Sequence, residues 1–120
     1  ACGLDASYDI AGISALRGVA DLDQRVTDAL LSCGASSPAR WSVLHDHHCG
    51  GFGRVSQGLR RFILAFERIH GVCLEPVYTG KMLYALHSQL RNAPALQREP
   101  TLAIHTGGLQ GRRGFRWLAP

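Results

Sequence analysis

Between Val55 and His70 the apolar residues Leu59, Phe62, Ile63, Phe66 and Ile69 recur at spacings of three and four, and Gly71 follows at once. That period sets all five on one face of a helix that ends at the glycine. A helix with a single apolar face has to lay it on another layer of structure, so the rest of the chain must supply that layer. The flanking segments read as its parts. IAGISAL, residues 10–16, reads as a short buried strand, and DLDQRVTDALLSCG, 21–34, as a helix. Asp21 can cap that helix with Gln24 three residues on, Leu22, Val26, Ala29 and Leu30 make its apolar face, and Gly34 supplies the stop.

ASSPAR then reads as a polar connection and WSVLHD, 41–46, as a second strand that runs into a histidine cluster and the glycine-rich CGGFG. VCLEPVY is extended around Pro76, which cannot donate a ladder hydrogen bond and biases Glu75 away from helix. Thr79 is placed to cap a helix through about Leu90, with Leu83, Leu86 and Leu90 inward. NAPALQREP reads as a loop and TLAIH, 101–105, as a last strand. Strands alternating with helices argue an α/β fold, a mainly parallel sheet flanked by helices.

Composition narrows the function classes. At 120 residues and 46% hydrophobic, the chain matches one domain or part of a larger one. No apolar run reaches about 18 residues, and the first residues lack the regions of a signal peptide, so the expectation is a cytoplasmic protein with no membrane association. The net charge of +4 comes from twelve arginines and the single Lys81, with charged residues only 18% of the chain. GRRGFRW therefore reads as a solvated arginine-rich tail, and no nucleic-acid partner is expected. Cys2, Cys33, Cys49 and Cys73 include no CxxC pair, which favours reduced, mostly buried thiols.

In open α/β sheets ligands gather beyond the carboxyl ends of the strands. Three turns fall at such ends: His45–Gly53, Tyr78-Thr79 and His105–Gly108. HDHHC could align His45, His47 and Cys49 on one face of an extended segment, but it has no partner motif of the kind zinc sites use, and no metal is expected. Tyr78-Thr79-Gly80-Lys81 offers a phenol, a hydroxyl and an amine at a strand-to-helix junction. The bland reading makes Tyr78 a half-buried packing residue and Lys81 a solvated first-turn residue. Thr106-Gly107-Gly108 suits a simple turn, and its glycines would also let a flat ligand lie against main chain. No GxSxG, HExxH, P-loop or GxGxxG pattern occurs, so the residues alone lead to a ligand crevice of unspecified chemistry.

Two long motifs carry a resemblance. EPVYTGKMLYAL (75–86) and LAIHTGGLQGRRG (102–114) look like the C-terminal signatures of the 1-aminocyclopropane-1-carboxylate deaminase and D-cysteine desulfhydrase family, pyridoxal-phosphate enzymes of the tryptophan synthase β-like fold type. HHCGGFGRV (47–55) and IAGISALRG resemble the family's corresponding segments. The resemblance implies that residues 1–120 are the C-terminal portion of the large cofactor domain. The Schiff-base lysine and the phosphate loop of the family would then lie in an N-terminal part outside this chain. Lys81 matches the lysine of the VYxGK motif, which is not the Schiff-base lysine.

By the same resemblance, Thr106 matches the position whose hydroxyl faces the pyridine nitrogen of pyridoxal 5'-phosphate, with Thr79, Gly107 and Gly108 beside it at the cofactor. Tyr78 matches the active-site tyrosine, and Phe52 stands in the substrate pocket where relatives usually have tyrosine. Thr79 stands where cyclopropane deaminases carry glutamate and desulfhydrases carry threonine. A hydroxyl there would not favour a protonated pyridine as a carboxylate would, which leans the chain towards β-elimination from a D-amino acid. The implied parent is a deaminase or lyase of a small amino acid, a homodimer at full length, with this chain inactive by itself. The alternative is a non-catalytic remnant or binding module.

Overall fold

Asp9–Ile13 and Arg40–Leu44 form strands β1 and β2, which pair in parallel with Asp9 opposite Arg40 and Ile13 opposite Leu44. The computed structural model describes residues 9–34 and 40–118. Residues 35–39 of the connection read at ASSPAR and the thiol of Cys2 lie outside the described residues, whereas Arg40 already belongs to β2. Parallel neighbours need a crossover, and helix α1, Leu22–Ser32, lies between the two strands in sequence. The first strand stops at Ile13, short of the run that ends at Leu16, although Ser14 still donates its N–H to the Leu44 carbonyl at 3.0 Å. At the other end of the ladder Arg40 meets Asp9 at 2.9 Å.

α1 ends as expected, with Gly34 at φ 76 donating its N–H to Leu31. It begins differently. The Asp21 carboxylate caps no backbone amide and instead pairs with Arg25 at 2.9 Å, one turn on, while Gln24 donates to Asp28. The nearby guanidinium is a stronger partner for a carboxylate than a neutral amide. No residue of α1 is fully buried, and a cavity of about 170 Å3 separates Val26 and Leu30 from Ile10, Trp41 and Val43.

Helix α2, Gln57–His70, follows the apolar stripe. Ser56 accepts the Leu59 N–H at 3.1 Å, and Gly71 closes the helix at φ 66, a left-handed conformation that suits glycine. Leu59 and Ile63 are fully buried and join Leu74 and Leu118 in one cluster, with Phe62, Phe66, Leu83 and Trp117 packed around it. Each of the fully buried aliphatic side chains contributes roughly 2 kcal/mol of burial. Ile69 departs from the stripe: it is 68% exposed, because the last turn projects past the layer that covers Leu59 and Ile63.

Helix α3, Thr79–Asn92, packs against α2 and β1. The contact with α2 leaves no room for a side chain at Gly80, where an added Cβ would lie 2.6 Å from the Glu75 carbonyl and 2.8 Å from Ile63 Cδ1. After α3 the chain makes three short 3-10 turns, Leu96–Arg98, Leu109–Gly114 and Arg116–Leu118.

TLAIH is not a strand. Residues 101–106 are exposed and hydrogen-bond to no neighbouring strand, with Leu102 86% and Ile104 65% exposed. A strand needs a partner edge as well as β-forming residues, and this segment is held instead beside residues 73–75 by side-chain bonds. Nor is GRRGFRW a solvated tail, since Phe115 and Trp117 are half-buried, Leu118 joins the core and Arg60 stacks 5.2 Å from the Trp117 ring centre.

Candidate functional site

At the junction before α3, Pro76 to Tyr78 make a turn that leaves the first amides of the helix without intrahelical acceptors. The side chain of Glu75 fills that role. Its carboxylate accepts the N–H of Val77 and of Tyr78 at 2.6 Å and that of Thr79 at 2.5 Å, while the residue is 1% exposed. Three charge-assisted bonds at the positive end of a helix compensate for burying the carboxylate. Thr79 is therefore the first helical residue rather than the cap, and its buried hydroxyl is turned to Glu75 at 3.3 Å. Tyr78 stands just outside, its backbone amide fixed by Glu75 and the residue 56% exposed. It is neither half-buried nor enclosed by packing.

The glycine-rich loop reaches the same junction from β2. Gly51 donates its N–H to the His48 carbonyl and accepts that of Arg54, so two tight turns follow one another. Cys49 at φ 54 and Gly53 at φ 67 take the left-handed positions. The Gly51 carbonyl has a second donor. Lys81 Nζ, from the first turn of α3, bonds to it at 2.7 Å, and Lys81 is 1% exposed. This corrects the solvated reading of Lys81: the stem follows the packed face of the helix and the amine finds its acceptor inside. Burial pushes the Lys81 ammonium below the usual lysine range, while Cys49 and Glu75 act in the opposite sense. Beyond Gly51 the Phe52 ring meets the Tyr78 ring edge-on at 6.1 Å.

The third segment is anchored beside them. His105 bonds through Nε2 to the Cys73 carbonyl at 3.1 Å and accepts the Gly107 N–H on Nδ1 at 3.0 Å. Those partners define its tautomer, with the proton on Nε2. Arg112 donates to the Leu74 carbonyl at 2.6 Å and pairs with Glu67 of α2, whose carboxylate also takes the Leu74 N–H at 2.8 Å. These bonds lay the glycine turn over Glu75: a Cβ at Gly108 would be 3.6 Å from Glu75 Cγ, and one at Gly107 would meet nothing within 4 Å. Thr106 is exposed on that turn.

The structure thus brings Phe52 to Tyr78, and sets Tyr78, Thr79 and Gly108 around one buried carboxylate. It does not gather HDHHC. The segment is a turn rather than extended, so His45 bonds Asp23 of α1 at 2.7 Å while His47 lies 3.2 Å from Gln89 of α3. Among the described residues no three histidine, cysteine or acidic side chains are grouped to hold a metal. Cys33, Cys49 and Cys73 are free, but Cys33 and Cys73 are exposed, contrary to the expectation of mostly buried thiols. No helix among the described residues is long and apolar enough to cross a membrane.

Sequence reasoning missed Glu75, Gly51, His105 and Arg112 as the residues that hold the site together. Two signals were available. A lone lysine among twelve arginines invites the question of what a compact amine does that a guanidinium cannot. An acid just before a proline, four residues ahead of a helix start, can fold back onto the first amides.

No family model matches the chain, and no solved structure matches it. Curated proteins do. It is 34% identical over 68 residues to a protein of Pyrococcus abyssi named "Putative 1-aminocyclopropane-1-carboxylate deaminase", covering 57% of this chain and 20% of that one. Its identity to the protein of the same name in Pyrococcus horikoshii is 32% over 90 residues, 75% of this chain and 27% of that one. It is 26% identical to D-cysteine desulfhydrase of Klebsiella pneumoniae across 83% of this chain and 32% of that protein. The chain therefore spans about a fifth to a third of the length of the curated relatives it matches. By these matches, the chain belongs to the 1-aminocyclopropane-1-carboxylate deaminase and D-cysteine desulfhydrase family.

Proposed function

We propose that this chain supplies one side of a pyridoxal-phosphate site in a deaminase or lyase of small amino acids, within a homodimeric protein of the tryptophan synthase β-like fold type. The observation that carries the reading is the packing of the glycine turn of LAIHTGGLQGRRG on Glu75 at the head of EPVYTGKMLYAL, the two motifs of the family meeting at one carboxylate. The residues suit the cofactor. Thr106 offers an exposed hydroxyl, and Gly107 and Gly108 leave the backbone beside it free of side chains. The pyridine ring, when bound, supplies an electron sink for bond breaking at the amino acid.

In this reading Thr106 presents its hydroxyl to the ring nitrogen. Thr79 supports from beneath, since its hydroxyl is already turned to Glu75. Tyr78 and Phe52 form the wall on which the substrate rests, with the Tyr78 hydroxyl as the group able to orient the substrate or move a proton. Position 79 carries a hydroxyl rather than a carboxylate, which favours D-cysteine over the cyclopropane substrate. The overall reaction would then take D-cysteine and one water to sulfide, ammonia and a 2-oxo acid.

The second reading is a binding module without catalysis, and it shares one feature with the first. The chain's one lysine is buried and its amine is committed to Gly51, so the lysine that holds the cofactor has to come from elsewhere. On either reading this chain alone is inactive. Cofactor titration of the longest natural chain containing these residues separates the two, followed by assays of D-cysteine and aminocyclopropane carboxylate for sulfide, ammonia and 2-oxo acid. Bound cofactor with sulfide release from D-cysteine supports the lyase. A long chain that binds no cofactor leaves only the module.

A further inference from the structure

The aromatic wall of the proposed pocket is built from two distant segments. Phe52 lies in the loop after β2 and Tyr78 before α3, and both residues are more than half exposed. Exposed rings gain little by touching, about 1 kcal/mol, and the edge-on contact alone would not hold a glycine-rich loop in place. What joins the segments lies beneath. Lys81 Nζ donates to the Gly51 carbonyl at 2.7 Å, and the same carbonyl accepts the Arg54 N–H at 3.1 Å, closing the turn on which Phe52 is carried. Three residues before Lys81, Tyr78 is fixed through its own amide by Glu75. The two buried charged side chains therefore anchor the two sides of one contact.

We propose that Lys81 is a positioning residue: by gripping the Gly51 carbonyl from inside, it sets Phe52 against Tyr78 and fixes that wall of the pocket. The placement matches the chemistry of the side chain. An ammonium is compact enough to reach one carbonyl in a closed space, and a charged donor to a carbonyl is stronger than a neutral one. The charge also makes the grip selective, because a buried ammonium without its acceptor is costly, so the loop is drawn back whenever it opens. Relevance to a substrate rests on the reading of Phe52 and Tyr78 given above; the grip itself does not.

The test uses the whole 120-residue chain without cofactor or substrate. As the only lysine, Lys81 gives one side-chain amine signal in a nitrogen-labelled sample. An ammonium protected from exchange and scalar-coupled to the Gly51 carbonyl carbon is expected; one exchanging as freely as a solvated lysine overturns the proposal. In Lys81→Met the ring-to-ring contact between Phe52 and Tyr78 is expected to vanish. The Arg54 amide should exchange about tenfold faster or more, as for loss of one charge-assisted bond, with Leu59 and Ile63 still protected. If the contact and the Arg54 rate persist in a folded Lys81→Met, Lys81 does not position the wall.

Should that variant fail to fold, the wild-type chain decides. Arg54 amide exchange that proceeds while the Lys81 ammonium stays protected overturns the proposal, because the turn would move without release of the grip. Opening of both together supports it. Since no readout involves catalysis, a parent protein without the proposed activity leaves the grip standing, and a failed grip leaves the functional reading intact.

Discussion

Glu75 and Lys81 are six residues apart and almost wholly buried, yet each serves a different segment. With its ammonium held below the usual lysine range by burial, Lys81 loses its proton more readily in the folded chain than in the unfolded one. The unfolded chain then binds more protons between the folded value and about 10.4, so this residue's contribution to stability rises with pH across that window. Urea midpoints measured through the alkaline range should climb relative to those of Lys81→Met. A constant difference would contradict the effect of burial.

Gly80 makes a second point at the same scale. With the Glu75 carbonyl and Ile63 already at contact, Gly80→Ala should cost about 2 kcal/mol or more in denaturant unfolding, although alanine is the better helix former. Neither residue was legible from its neighbours. Glycine in a first helical turn and a lysine beside it read as ordinary surface choices, and only the approach of α2 and the CGGFG loop gives them their roles.

Among the elements, α2 and α3 were legible because their signals are local: an apolar stripe, a glycine stop, a run of good helix formers. The starts of α1 and α3 were not, because capping is a competition. Asp21 faced Arg25 and an amide and took Arg25; Thr79 was displaced as a cap by the carboxylate of Glu75. The segment 102–114 shows the opposite balance, with few backbone bonds and a strong side-chain latch. Arg112→Ala removes a donor to Glu67 and to the Leu74 carbonyl, both partly buried, and should destabilise the chain by about 2 kcal/mol. Amide exchange would show where the loss falls: Gly107 and Gly111 should lose protection before Ile63 does. Equal loss at all three would mean that the latch belongs to the global core instead.

For the molecule as a whole, the radius of gyration is 15.6 Å, against about 14 Å for a compact chain of this length. A parallel sheet is ordinarily covered on both faces, but most positions of β1 are exposed. The α/β class was legible from alternation alone. The extent of the sheet was not, because pairing depends on a neighbour that periodicity cannot report, and TLAIH has the residues of a strand without a partner beside it.

One buried side chain also makes the chain an indicator of its own opening. A protease directed to lysine has a single bond to cut, Lys81–Met82, and that bond lies inside the first turn of α3 beneath the CGGFG loop. Cleavage should be slow in buffer and should accelerate with urea in parallel with the unfolding transition, yielding two pieces and no others. A cutting rate indifferent to denaturant would show that α3 frays at its head without the rest. An arginine-directed protease, with twelve targets and most of them on the surface, would carry no such information.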